Sequence, residues 1–356
     1  ISSRVIGMDR WEVYHGDALE ILRTLPDSSV SLIATDPPYY RVKDEDWDRQ
    51  WASGGEFLEW IGQYCEQWRR VLQPNGSLYC FASPQMRARV EVEIGKHFRC
   101  LPTITWVKGD KAGGGWWSQT DKASLRSFFP RTEAIIFAEQ FGADSMAKGE
   151  AGYAMKCDEL RGFVFEPLRR YFCDEKERCG VSTAQIMDGM AAEGVGRYMF
   201  ARHTFSSSQW QLPTDEQYEA ARRVFHRHGT GEYLRREYEY LRREYEDLRR
   251  PFSVTADVPY TDVWEFRTVQ SYRGKHPCEK PLDMMRHIVE ASSRPGDTVL
   301  DCFAGSGSTG VAALELGRRA VLIEKDPKWW TVCHERAADT VAGGLWANAQ
   351  PSGNPG

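Results

Sequence analysis

No stretch of this 356-residue sequence is apolar for the roughly 20 residues that spanning a membrane takes. Its first residues, ISSRVIGMDRWEV, lack the basic, apolar and small-residue zones of a secretory leader. Met8 marks the residues before it as a tag remnant or an upstream extension. The nine cysteines include no C-x-x-C pair. Cys173 and Cys179 are spaced too widely for a zinc knuckle, and His226-x-His228 has no cysteine nearby. The expectation is therefore no zinc module, no disulfide framework, and reduced thiols in a cytoplasm. A basic surplus is missing too: 46 Lys+Arg stand against 51 Asp+Glu, a net charge of −5. That balance does not advertise a nucleic-acid partner, but local patches rather than totals hold phosphates.

What is present is an alternation. Residues 11–35 read as strand, helix, strand (WEVYHGD, ALEILRTL, VSLIATD). Residues 54–72 read as a helix stopped by the turn Gln73-Pro74-Asn75-Gly76, followed by the strand SLYCFAS. Then come a helix (MRARVEVEIGKHF), a strand (LPTITWVK), a Gly-rich loop around Gly113–Trp117 and a strand (TEAIIFAE). From 141 to 259 charged helices replace apolar strands. Within that stretch, 182–190 and 194–205 read as helix, glycine turn, helix. The heptapeptide YLRREYE stands at 233–239 and again at 240–246. Leu234, Tyr238, Leu241, Tyr245 and Leu248 would make one apolar seam on a single helix. Strand and helix then alternate again from 277 to 326. The fold class is α/β.

Two motifs carry chemistry. The tetrapeptide Asp36-Pro37-Pro38-Tyr39 follows the apolar run 30-VSLIA-34. Proline locks φ and has no N–H, and a residue before proline avoids the helical region. The tetrapeptide is thus a stiff, extended turn that holds one carboxylate, the prolyl carbonyls and one ring in a single arrangement. The second motif, 301-DCFAGSGSTG-310, lies between a predicted strand (297–303) and a predicted helix (309–317). Gly305, Gly307 and Gly310 fit G-x-G-x-x-G, and Glu324 ends the next strand. This is the pattern of an adenosine site: glycines for a tight turn, an acid for ribose hydroxyls. Fewer than fifty residues follow it, too few for a whole sheet, so the N-terminal part must supply the other strands.

With 36-DPPY-39, 276-HPCEKP-281, 301-DCFAGSGSTG-310 and 323-IEKD-326 in that order, the chain resembles the beta class of DNA adenine-N6 methyltransferases, and its middle insert resembles the recognition segments of phage and prophage members. The resemblance covers roughly residues 11–140 and 260–335. It implies a Rossmann-like sheet assembled from both ends of the chain, with an inserted, mainly helical target-recognition domain. The layout would be 9–140 catalytic, 141–259 recognition, 260–342 cofactor-binding, and 343–356 a disordered tail. S-adenosylmethionine is the implied cofactor and DNA the partner, with no metal and no membrane. Homodimers are common in the class, and a restriction endonuclease partner stays open. Asp36 and the Pro37 carbonyl would accept hydrogen bonds from the exocyclic amine, while Pro38 offers no competing N–H. Tyr39 would stack on the flipped base. Stacking is worth about 1–3 kcal/mol, against a flipping cost on the order of a few kcal/mol. Asp17 would lie near the cofactor adenine and Phe303 beside it. His276 and Lys280 would lie at its methionine end, with Lys280 meeting the carboxylate. Asp301 would hold its ammonium or orient the loop. Ala304, Gly305, Ser306 and Gly307 would form the turn around it, and Glu324 would take the ribose.

Other readings compete. Cytosine-N4 methylation uses the same fold with a related tetrapeptide that commonly opens with serine. Cytosine-C5 methylation needs a Pro-Cys nucleophile, and Pro277-Cys278 lies in a different motif. A protein-glutamine or RNA methyltransferase can share the tetrapeptide. A DNA-binding protein without catalysis could rest on 182–205 as a helix-turn-helix. Arg235, Arg236, Arg242, Arg243, Arg249 and Arg250 either face phosphates or pair internally, as Arg235–Glu239 and Arg242–Glu246, and the second reading is preferred. Trp47 or Trp51 lines the pocket or packs as core, and Lys108 is expected near the cleft.

Overall fold

The computed structural model describes residues 4–8, 10–40, 42, 49–108, 123, 126, 128, 130–141, 164–207, 210–254, 260–270 and 272–343. The chain divides into two compact units, one of Ile1–Gln140 with Pro251–Gly356, the other Phe141–Arg250. Trp47, the Gly113–Trp117 loop and the tail beyond 343 lie outside the described residues. The strands are β1 (Arg4–Met8), β2 (Trp11–His15), β3 (Val30–Thr35), β4 (Leu72–Ala82), β5 (Arg99–Cys100), β6 (Ile104–Lys108), β7 (Thr132–Glu139), β8 (Val263–Phe266), β9 (Thr298–Asp301) and β10 (Arg319–Glu324). The helices are α1 (Ala18–Leu22), α2 (Gly54–Val71), α3 (Arg87–Gly95), α4 (Glu166–Cys179), α5 (Thr183–Ala192), α6 (Arg197–Phe205), α7 (Asp215–His228), α8 (Tyr238–Leu248), α9 (Leu282–Ser292), α10 (Ser308–Glu315) and α11 (Pro327–Val341).

The ten strands of the described residues form one sheet, in the order β1-β2-β10-β9-β3-β4-β7-β6-β8, with β5 added beside β7. From β2 to β4 neighbours run parallel, and β7 is antiparallel to β4. Side chains along the central strands alternate between two cores. Ile33, Leu78 and Cys80 face α1, α2 and α3, packing on Ile21, Phe57, Ile61, Trp68 and Val90. Leu32, Ala34, Tyr79 and Phe81 face the other side, with Met284, Ile288, Ala312 and Trp330 of α9, α10 and α11. This is the period-two alternation of a sheet covered on both faces. The Rossmann-like α/β sheet assembled from both ends of the chain is therefore as expected. No helix among the described residues is long and apolar enough to cross a membrane.

Several local expectations fail. Gln73–Gly76 is no turn ending a helix: β4 begins at Leu72 and runs through it, with a register shift against β3 between Val30 and Leu32. Residues 4–8, read as lying ahead of the domain, form β1 antiparallel to β2. The strand β8 had no counterpart in the pattern reading.

The second unit holds α4–α8 around its own core of Phe165, Phe172, Trp210, Tyr218, Phe225, Leu234 and Leu241. The helix–glycine turn–helix reading agrees with α5 and α6, with Gly194 at φ +77° between them. The repeat does not make one helix. Its first copy is mostly non-helical: Leu234 is buried at φ +50°, and α8 starts only at Tyr238. The ion pairs there are Arg236–Glu244 and Arg249–Glu246 rather than the expected Arg235–Glu239 and Arg242–Glu246. Arg235 precedes the helix and so has no i,i+4 neighbour to meet.

Candidate active site

The carboxyl ends of β3 and β9 lie side by side. From there the chain turns to opposite faces, with α2 following β3 on one and α10 following β9 on the other. Such a switch point opens a crevice for a ligand.

At the β3 end, Asp36 follows the last strand residue, Thr35. Lys280 Nζ donates to Asp36 Oδ2 and lies 3.6 Å from Glu133 Oε2. Lys108 Nζ donates to Glu133 Oε1, and Tyr39 OH donates to Glu133 Oε2 at 3.3 Å. The Lys280 ammonium is 4.8 Å from the Phe81 ring centroid and 5.7 Å from that of Tyr39. Burial raises the Asp36 carboxyl above its ordinary pKa, with the Lys280 ammonium pulling against it. Against burial, Asp36 and Glu133 hold Lys280 above its ordinary value. Burial also opposes ionisation of Glu133, yet Lys280 and Lys108 hold it below the usual carboxylate range. Asp36 Oδ1 is buried without a hydrogen-bond partner. Leaving a buried acceptor unsatisfied costs about 1–3 kcal/mol, so this oxygen is primed for a donor from outside the chain. Pro37 and Pro38 join Tyr39, Phe57, Phe81 and Met86 in lining a cleft.

At the β9 end, both oxygens of Asp301 accept from within the chain. Its Oδ1 accepts from Thr35 Oγ1 at 2.9 Å and from Phe303 N at 3.1 Å, and its Oδ2 from Thr309 Oγ1 at 2.6 Å. Burial lifts its pKa to about 6, with the Thr309 hydroxyl opposing. The turn itself needs its glycines. Gly305 and Gly307 have φ of +52° and +80°. A Cβ on Gly305 would come within 3.1 Å of the His276 ring, and one on Gly310 within 2.4 Å of Leu322 Cδ1. Glu324 accepts from Gly305 N at 2.7 Å and Asp326 N at 2.8 Å, one bond per oxygen. A carboxylate oxygen has two acceptor sites, so each keeps one. Ser308 Oγ, at the start of α10, is buried with no partner. A glycine cradle, a carboxylate with spare acceptors and an unpaired hydroxyl fit an adenosine-bearing group.

The remaining expected residues are spread around this turn. Asp17 caps α1 through Leu19 N at 3.0 Å and meets Lys325 at 3.3 Å. Phe303 packs on Tyr64 and Trp60, with ring centroids 5.1 and 5.7 Å apart. Ala304 belongs to the second core, and the Ser306 carbonyl accepts from Arg336 at 2.8 Å. Burial, then Lys280 and Lys275, push His276 down to about 4. Its Nδ1 accepts from Cys278 N at 3.2 Å. Lys280 meets Asp36 and Glu133, two carboxylates of the chain itself. Trp51 is core, against Phe57 and Trp60.

Sequence reasoning missed Glu133. It is the second residue of β7, which is antiparallel, so the start of that strand stands level with the last residues of β4 (Ala134 opposite Ala82). Lys108 ends β6, antiparallel again, and reaches the same edge (Val107 opposite Thr132). The only local signal was an acid at the head of the apolar run 132-TEAIIFAE-139.

A family model described as DNA methylase (N6_N4_Mtase) matches residues 30–333. The chain is 24% identical over 318 residues to the DNA adenine methyltransferase YhdJ of Escherichia coli (strain K12), covering 89% of this chain and 79% of that protein. It is 29% identical over 346 residues to the type II methyltransferase M2.LlaDCHI of Lactococcus lactis subsp. cremoris, covering 93% and 90%. Among solved structures, the PvuII DNA methyltransferase (cytosine-N4-specific) superposes with a TM-score of 0.52 at 14% identity, over 92% of this chain and 86% of that one, a likeness of fold.

Proposed function

The chain belongs to the N6_N4_Mtase family of DNA methylases, and on that premise we propose that it methylates the N6 amine of adenine in DNA, as a beta-class enzyme using S-adenosylmethionine. The observation that carries this reading is Asp36: one oxygen held by Lys280, the other buried and unpartnered. An exocyclic amine is a poor nucleophile because its lone pair is delocalised into the ring. Acceptors at its N–H groups favour a pyramidal nitrogen and free that pair. Asp36 Oδ1 supplies one acceptor and the Pro37 carbonyl the second. Tyr39 offers the face on which a flipped base stacks. S-adenosylmethionine supplies the methyl group from its sulfonium, and the chain's share of catalysis is positioning and charge stabilisation.

The glycine turn with Phe303, Ala304, Gly305, Ser306 and Gly307 would hold the cofactor, with Glu324 on its ribose, Asp17 near its adenine and His276 at its methionine end. Asp301, both of its oxygens bonded within the chain, orients the loop. The second unit, with its helix–turn–helix, would read the target sequence. Similarity to a DNA adenine methyltransferase supports adenine as the base. The test is direct. Purified protein, unmethylated DNA and isotopically labelled S-adenosylmethionine are combined, the DNA is digested, and the labelled nucleoside is identified by mass spectrometry. Label in N6-methyladenine, lost in Asp36→Ala, is expected. Label in N4-methylcytosine would overturn the choice of base, and no label in any nucleoside would overturn the substrate.

A further inference from the structure

We propose that Lys280 and Glu133, with Lys108 as the counterion of Glu133, form a charge-balanced cradle that sets the orientation and charge state of Asp36, the two acting on it in opposite senses. The inference rests on the methyl-transfer reading of Asp36 and adds positioning residues to it. Two carboxylates and two ammoniums alternate: Asp36, Lys280, Glu133, Lys108. Every link is indirect to the base except Asp36 itself. Lys280 is a strut as well as a charge. Its ammonium is flanked by the Phe81 and Tyr39 rings, and its bond to Oδ2 leaves Oδ1 as the free acceptor. An ionised Asp36 accepts from an amine at either oxygen, whereas a protonated one presents a competing O–H.

The titratable and charged groups facing Asp36 come from every neighbouring element. They are Lys280 of the 276–281 loop, Glu133 of β7, Tyr39 beside it, Asp301 of β9 and Cys80 of β4, with Lys108 of β6 behind Glu133 and Cys278 behind Tyr39 and Lys280. Of these, Lys280 is the cation in direct contact and Glu133 the anion that shares it. Removing the cation must favour the protonated carboxyl; removing the anion must favour the ionised one.

The test follows the Asp36 carboxyl directly. The protein is labelled with 13C at the aspartate carboxyl carbons, Asp36→Asn identifies the Asp36 signal, and its midpoint is read by NMR titration. In Lys280→Met the midpoint rises by about 1–3 pH units, the range that one adjacent opposite charge commands. In Glu133→Gln it falls, and in Lys280→Arg it stays near that of the wild type. The acid limb of single-turnover methylation should move with it. Midpoints that stay put, or move the same way in both variants, overturn the cradle, as does a Lys280→Met variant that raises only the KM for cofactor. If the midpoints move in opposite directions while the wild type labels no nucleic acid, the cradle stands and the methyl-transfer reading falls.

Discussion

Asp36 follows β3 and Asp301 ends the neighbouring parallel strand β9, and burial lifts the pKa of both, yet they are dressed differently. Asp301 spends its oxygens on two threonine hydroxyls and a backbone N–H. Asp36 gives one oxygen to an ammonium and leaves the other with nothing. A buried carboxylate with both oxygens bonded from within is part of the architecture; one with an oxygen left bare is available for a reactant.

The strongest way to break that contrast is Asp36→Ala. Turnover should fall by about 10²–10³-fold or more, the scale of losing one preorganised polar group, while cofactor binding by calorimetry persists. Equal loss of cofactor binding would place Asp36 with the architecture instead. Next comes stability. The Asp301 carboxyl is raised to about 6, so the native state binds its proton more tightly than the unfolded chain does. Its contribution is present below about pH 4 and is lost as pH rises through 6, worth about 3 kcal/mol for a carboxyl lifted that far above its unfolded value. His276, pushed down to about 4, has the opposite sign: its contribution is present above about pH 6.5 and is lost as pH falls toward 4. The two offset each other across that window. Asp301→Asn should therefore leave a Tm that rises with pH between 4 and 6, and His276→Asn one that falls. Parallel pH profiles in both variants would contradict the assignment.

Smaller effects sharpen the picture. Gly310→Ala pushes a methyl to 2.4 Å from Leu322 and should cost about 1–3 kcal/mol of stability by overpacking, read by urea unfolding. Tyr39→Phe keeps the ring and loses one internal hydrogen bond to Glu133 at 3.3 Å, which should cost about 1 kcal/mol or less of stability by urea unfolding, whereas Tyr39→Ala should weaken DNA binding by about 1–3 kcal/mol in a titration. Cys278→Ser should leave turnover unchanged, and its loss would revive a cysteine nucleophile.

Local patterns made much of this legible. The tetrapeptide at 36–39, the glycine turn at 305–310 and Glu324 each sit where strand, turn and helix were expected, because each is written within one short segment. The repeat shows the limit. YLRREYE takes two conformations seven residues apart, since Leu234 finds a buried place at φ +50° that helical spacing does not offer. Likewise Gln73–Gly76 has turn residues yet lies within β4, where it takes up the register shift between the Val30–Leu72 and Leu32–Ser77 pairs.

By itself the sequence determined the α/β class, the two motifs and their order along the chain, since periodicity and turn chemistry act over a few residues. Only the tertiary structure decided which charges meet. Lys280 reaches Asp36 across 244 positions, and Glu133 joins them because an antiparallel strand brings its first residues to the edge where the parallel strands end. Coulomb energy depends on distance in space, and no local pattern encodes it.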